Sequence, residues 1–255
     1  MDQAFLLRKG KMKKIVIFID GENLFYSFKS LELDIHNFKL DEFFRYILTL
    51  SDLNKDEMEL LRVYWYQIKG VSHHDIKYEI LRNHIKKELQ KDPARYPFNI
   101  DDLFKIGPDR KFVIDITPEM GKRIQWVKDL KQMISFQQEK FTKIALDYSR
   151  IEFVREGVLK VNPYAMEIKG EKGVDVSMAV DLIKKSDYFD IAFIISGDAD
   201  LAPAIKYIKD KLKLVYVVRF FKGVPPTTRG SSSSIREIAD DVIDVYSSEL
   251  EKFKK

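Results

Sequence analysis

Two continuous apolar runs stand out along the chain. Ile191 to Ser196 (IAFIIS) is apolar almost throughout, and Lys14 to Asp20 (KIVIFID) is branched and apolar before it ends on an aspartate. Runs of this kind read as central parallel strands buried on both faces, because a strand with one wet face would alternate. Each is followed by helical spacing: Leu24, Phe25 and Phe28 after the first, Leu201, Ala204, Ile205 and Ile208 after the second. Between them, Leu40, Phe43, Phe44, Ile47 and Leu48 make a clean helical stripe from Lys39 onward. Arg62 to Ile68 reads as an aromatic, branched strand ended by Gly70. A charged helix is expected from about Ser72 to Gln90, with Ile76, Ile80, Leu81, Ile85 and Leu89 facing inward, and a long helix from Gly121 to about Leu146. Arg150 to Val161 looks like a hairpin of two short strands around Glu156-Gly157, followed by the polar stretch IKGEKG. A helix from about Val174 to Lys185 and a strand at Lys213 to Val218 come next. A last helix is expected to carry Ile235, Ile238, Ala239, Val242, Ile243 and Tyr246 on one face, opened by a Ser234/Glu237 capping box. Strands alternate with helices, so the natural reading is an α/β fold with a right-handed, mainly parallel sheet.

Domain organisation follows from the same pattern. Residues 1–13 read as a basic lead-in, and 14–250 as one domain. Residues 92–120 are punctuated by Pro93, Pro97, Pro108 and Pro118 and read as an insertion, too short to hold a core of its own. No apolar stretch approaches the roughly 18 residues that span a bilayer, and the opening MDQAFLLRKGKMKK, with a short apolar patch ahead of its charges, does not read as a secretory signal. The 255 residues include no cysteine, which excludes disulfides, thiolate metal sites and a cysteine nucleophile, and fits a reducing cytoplasm. With 44 basic against 40 acidic residues, the net charge of +4 permits nucleic-acid binding without arguing for it.

The chemistry lies at the strand ends. Asp20 closes the first apolar run, and Asp198 and Asp200 follow the second across Gly197. Open α/β sheets place their sites at the carboxyl ends of strands. Were the two strands neighbours, the carboxylates would share one edge of the sheet, where like charges repel unless a cation lies between them. A divalent metal is the usual remedy. Each residue also has a structural reading, Asp20 as a turn residue and Asp198 or Asp200 as a helix cap.

Three segments resemble the NYN domain, a PIN-like branch of the metal-dependent ribonucleases: FIDGENL at 18–24, KGVDVSMAVDL at 172–182 and SGDADLAPAI at 196–205. The ending SIREIADDVIDV is similar to that family's closing helix, with its Ala-Asp pair at Ala239 and Asp240. The resemblance covers about Lys14 to Tyr246, and residues 70–150 are longer than a minimal NYN domain needs. It implies a three-layer, PIN-like (Rossmann-like) fold whose mainly parallel sheet is flanked by helices. It further implies an enzyme that hydrolyses RNA phosphodiesters, with RNA as partner. One or two Mg²⁺ or Mn²⁺ ions would be held by Asp20, Asp175, Asp198 and Asp200. Asn23, Ser196 and Lys172 match positions beside the substrate. Hard ions want oxygen ligands, so the donor set suits the metal independently.

Other readings stay open. A non-catalytic RNA-binding or regulatory protein could keep the fold, although none of the matched carboxylates is replaced here. A haloacid-dehalogenase-type phosphatase needs Asp-x-Asp after its first strand, where this chain has Glu22. A Toprim-type domain needs a glutamate at an earlier strand end, which Asp20 occupies. Asp181, six residues from Asp175, lies about 120° round a helix from it and reads as the partner of a lysine. His73-His74 reads as cap or surface. Tyr64, Trp65 and Tyr66 could stack on bases but read as core; Arg229 with the serines at 231–234 could cradle a phosphate but reads as a flexible loop, with Ser234 capping the last helix. A homo-oligomer is compatible with all of these readings.

Overall fold

The two apolar runs become neighbours at the centre of the sheet. A computed structural model describes residues 12–54, 57–222 and 233–255, apart from the side chains of 233 and 234. The strands are β1 (Lys13–Asp20), β2 (Met58–Ser72), β3 (Ile151–Asn162), β4 (Glu167–Lys172), β5 (Ile191–Ile195), β6 (Leu214–Phe221) and β7 (Asp241–Tyr246). They form one sheet in the order β4-β3-β2-β1-β5-β6-β7. β1 runs parallel to both β2 and β5, β5 to β6 and β6 to β7, whereas β3 and β4 are antiparallel. The α/β, mainly parallel expectation therefore holds. The helices are α1 (Gly21–Ser30), α2 (Leu40–Thr49), α3 (Tyr78–Lys91), α4 (Ile100–Leu103), α5 (Thr117–Asp147), α6 (Val174–Lys184), α7 (Ala202–Asp210), α8 (Ser233–Ile238) and α9 (Ser247–Leu250).

Two compact units divide the chain. The first comprises Met1–Ile68, Gln138–Gly157 and Gly173–Lys255, and the second Lys69–Gln137 and Val158–Lys172. In the first unit the period of two in β1 splits its residues between two cores. Ile15, Ile17 and Ile19 pack with α1, α2 and the end of α5, through residues such as Phe28, Phe43 and Phe141. Val16 and Phe18 pack with α6, α7 and α8, through Met178, Leu182, Ile205 and Ile235. This is why the central strands read as unbroken apolar runs. The second unit has a smaller core, in which Leu81, Ile85 and Leu89 of α3 meet Leu103 and Ile116.

Several boundaries differ from the sequence reading, for identifiable reasons. Gly70 does not end β2, which continues to Ser72; no atom lies within 4 Å of where a Cβ would sit there, so the glycine is not a tight turn. Residues 151–162 form one strand rather than a hairpin about Gly157. The reversal comes later, where the Asn162 carboxamide accepts the Tyr164 N–H at 3.2 Å and Met166 takes φ 51°. The polar stretch after it is β4, an edge strand, where polar composition is expected. The charged helix starts at Tyr78, and Ile80 is exposed on it. Residues 241–246 are a strand, not the end of a helix, because Ile243 and Val245 alternate into the core and β6 supplies a parallel partner. The lead-in up to residue 11 and residues 223–232, with Arg229 and the start of the serine run, lie outside the described residues, as does the Ser234 side chain.

Candidate active site

β1 and β5 pair in register, with Ile19 beside Ile195, so the residues that follow them emerge side by side. The chain builds the sheet outward from β1 through β2 to β4, then returns to the opposite side of β1 with β5. The carboxyl ends of β1 and β5 thus flank a topological switch point, the place where open α/β sheets bind ligands. Asp20 and Ser196 meet there. The Ser196 hydroxyl donates to Asp20 Oδ2 at 3.2 Å and accepts the Asp198 N–H at 3.1 Å. It is a strut between the two strand ends, and it is buried.

Asp20 is 3% exposed and caps α1. Its Oδ1 accepts the N–H groups of Glu22 and Asn23, each at 3.1 Å. Oδ2 accepts the Asn23 carboxamide as well as Ser196. A carboxylate offers about four lone-pair positions, and these four donors match them. The turn that makes this geometry requires Gly21: a Cβ there would lie 2.4 Å from the Tyr66 carbonyl oxygen and 2.8 Å from Trp65 Nε1.

Asp198 caps the short 3₁₀ turn Ala199–Leu201, accepting the Asp200 N–H at 2.9 Å, and Asp200 is exposed. Asp175 sits in the first turn of α6, behind Gly173, which holds φ 95° in the left-handed region. Burial pushes the Asp175 carboxyl up to about 6, and the charges of Asp20, Asp198 and Asp200 push in the same direction. The four aspartates therefore form one field of negative charge, the condition that a cation relieves. Hard oxygen donors of this kind suit Mg²⁺ or Mn²⁺. They are not gathered into a finished cage: among the described residues no group of three or more acidic or histidine side chains is close enough to hold an ion.

The remaining residues fall elsewhere. Lys172 ends β4 in the second unit and is exposed. Asp181 accepts the Tyr66 hydroxyl at 2.8 Å and pairs with Lys185 at 2.8 Å, a structural role. Trp65 and Tyr66 are core, and His73 bonds only to its neighbour's carbonyl among the described residues. Asp240 sits at the amino end of β6, where it accepts the Val215 N–H at 2.7 Å and pairs with Lys209 at 2.9 Å, away from the strand ends that carry the site. The sequence reading missed Arg82, fully buried in the second unit; its signal was an arginine beside Leu81 on the inward stripe of α3.

No curated protein sequence matches the chain. Among solved structures, a protein of unknown function from Vibrio parahaemolyticus is similar at 17% identity, over 98% of this chain and 100% of that one, with a TM-score of 0.47. The sequence model of the NYN domain matches residues 125–249, a span that includes Asp175, Asp198 and Asp200 and leaves Asp20 outside. That match agrees with the NYN family, generally made up of nucleases, that the motifs at 172–182 and 196–205 resemble.

Proposed function

We propose that the protein is a metal-dependent ribonuclease with a PIN-like fold, and that Asp20, Asp175, Asp198 and Asp200 form its active site. The observation that carries this reading is the meeting of Asp20, Ser196 and Asp198 at the switch point, with Asp175 driven up to about 6 by burial and by its three acidic neighbours. Asp20, Asp175, Asp198 and Asp200 would hold one or two Mg²⁺ or Mn²⁺ ions. A divalent ion, when bound, supplies positive charge against phosphate oxygens and makes water a better nucleophile at neutral pH.

The chain's own residues supply position. Ser196 and the α1 turn hold the Asp20 carboxylate in place between the ends of β1 and β5. Asp20 joins the other ligands only by giving up a donor. Of its two side-chain donors, Asn23 is half-buried and Ser196 is buried, so Asn23 is the donor nearer solvent. Asp200, which is exposed, would contribute its carboxylate to the ion from the solvent side. Lys172 is assigned to phosphate by family likeness alone. A cytoplasmic location is part of this proposal, with a cysteine-free sequence as its support; no described helix is long and apolar enough to cross a membrane.

The test is cleavage of labelled single-stranded and hairpin RNA with Mg²⁺, Mn²⁺ or EDTA, by wild type, Asp198→Asn and Asp20→Asn. Metal-dependent cleavage lost in both folded variants supports the reading. RNA binding without cleavage would replace it with the regulatory alternative.

A further inference from the structure

Positive charge is concentrated in the second unit. Lys69–Gln137 and Val158–Lys172 hold 17 Lys and Arg against 12 Asp and Glu, a balance of +5; of the chain's 44 and 40, this leaves the first unit 27 against 28. Within the second unit a tight hairpin runs from Lys105 to Val113. Gly107 N–H donates to the Lys111 carbonyl at 2.7 Å, Val113 N–H to that of Lys105 at 2.9 Å, and Ile106 bridges Phe112. Lys105, Arg110 and Lys111 are all exposed on it, with Asp109 as the one acid; its carboxylate accepts the Lys111 N–H at 3.2 Å and makes a long, exposed ion pair with the Lys111 ammonium at 3.9 Å, which a phosphate can displace. Lys86 of α3 lies 5.2 Å from the ring of Phe104 at the hairpin's base.

The hairpin is held from beneath by Arg82. Its guanidinium lies 3.6 Å from the Phe112 ring, 5.0 Å from Tyr78 and 6.0 Å from Phe104, and it donates to the carbonyls of Leu103 and Ile114. One buried cation therefore ties both ends of the hairpin to α3. Arg110, at the turn, has φ 61°, a conformation that glycine or asparagine adopts easily and arginine does not. An arginine kept where the backbone disfavours it points to a use for its side chain.

We propose that this hairpin, with Lys86 and Phe104, is a binding surface for single-stranded RNA. Phosphates meet Lys86, Lys105, Arg110 and Lys111, while the exposed faces of Phe104, Ile106 and Val113 accept unstacked bases, which a duplex does not offer. The choice of RNA over another polyanion rests on the ribonuclease reading.

The experiment is fluorescence anisotropy of the full chain with a labelled oligouridylate in EDTA, across a salt series. Lys86→Glu/Lys105→Glu/Lys111→Glu is expected to lose at least about tenfold in affinity and to flatten the log–log salt slope by about 2, at about 0.7 per phosphate contact. Arg110→Asn is expected to flatten it by about 0.7 while its Tm stays level or rises, since asparagine tolerates the left-handed turn. Unchanged affinity and slope in the triple variant would overturn the proposal, as would equal affinity for blunt duplex RNA. Binding that follows these expectations without Mg²⁺- or Mn²⁺-dependent cleavage would overturn the ribonuclease reading alone. Cleavage with a KM unmoved by the triple variant would overturn this surface alone.

Discussion

The two units spend charge in opposite ways. The first is nearly neutral, yet it collects four aspartates about one sheet edge, where Asp175 is raised to about 6 by burial and by the other three. The second carries +5 and spreads most of it over exposed lysines and arginines, with two arginines taken inside: Arg82 among aromatic rings and carbonyls, and Arg123 against Glu119 and the Tyr164 carbonyl. Like charges crowded about partly buried carboxylates create a demand for a counter-ion and so suit a metal. Exposed like charges remain solvated and suit a polyanion that releases its own counter-ions. Chemistry in one unit and grip in the other should therefore be separable by mutation.

The largest expected effect lies in the first unit. Asp198→Asn should lower RNA cleavage by about a hundredfold or more, since misplacing a reactive group costs about that much, while RNA affinity measured in EDTA stays within about twofold. Equal losses in both measurements would erase the distinction between the units. Gly21→Ala should follow, destabilising the first unit by about 1–3 kcal/mol in urea unfolding, because its Cβ must displace the Tyr66 carbonyl and the Trp65 indole. It should also reduce cleavage by moving Asp20.

Arg82→Met tests the second unit's anchor. It leaves the carbonyls of Leu103 and Ile114 without their guanidinium and should cost about 1–3 kcal/mol. Faster amide exchange is expected in 69–137 and unchanged exchange in β1 and β5; acceleration throughout would mean that the units unfold as one.

The smallest effect sharpens the electrostatic half of the comparison. In chelator, Asp175 has its folded pKa raised from 3.8 to about 6, so its protonated form favours folding. That contribution is fully present below pH 3.8 and is lost as pH rises through about 6. Asp175→Asn should remove this slope and give a Tm above that of wild type at pH 8 in EDTA, an advantage that Mg²⁺ should cancel by stabilising wild type alone.

Much of the first unit was legible because its signals are local. β1 and β5 are unbroken apolar runs, and α2 is a stripe whose Leu40, Phe43, Phe44, Ile47 and Leu48 are all buried. Motif resemblance then pointed to the NYN family, whose model matches residues 125–249. What sequence could not supply was adjacency: that β1 lies beside β5, and that Ser196 bridges them, follows from the strand order. The misread elements were those decided by a partner far away in sequence. Residues 241–246 have branched residues suited to helix face or strand alike, and the free edge of β6 settled the matter. Gly157 resembled a turn, but the reversal was placed by Asn162 and Met166. Arg82 was invisible as an anchor because its rings come from residues 78, 104 and 112.

The most direct test of the central claim is calorimetric titration of Mn²⁺ into the full chain at pH 7.5, for wild type and Asp175→Asn. Saturable binding by wild type, weakened at least about tenfold in Asp175→Asn and undiminished in the Lys86→Glu/Lys105→Glu/Lys111→Glu variant, is the predicted result. Equal binding by wild type and Asp175→Asn, or no binding by either, would contradict the assignment of the four aspartates as the metal centre.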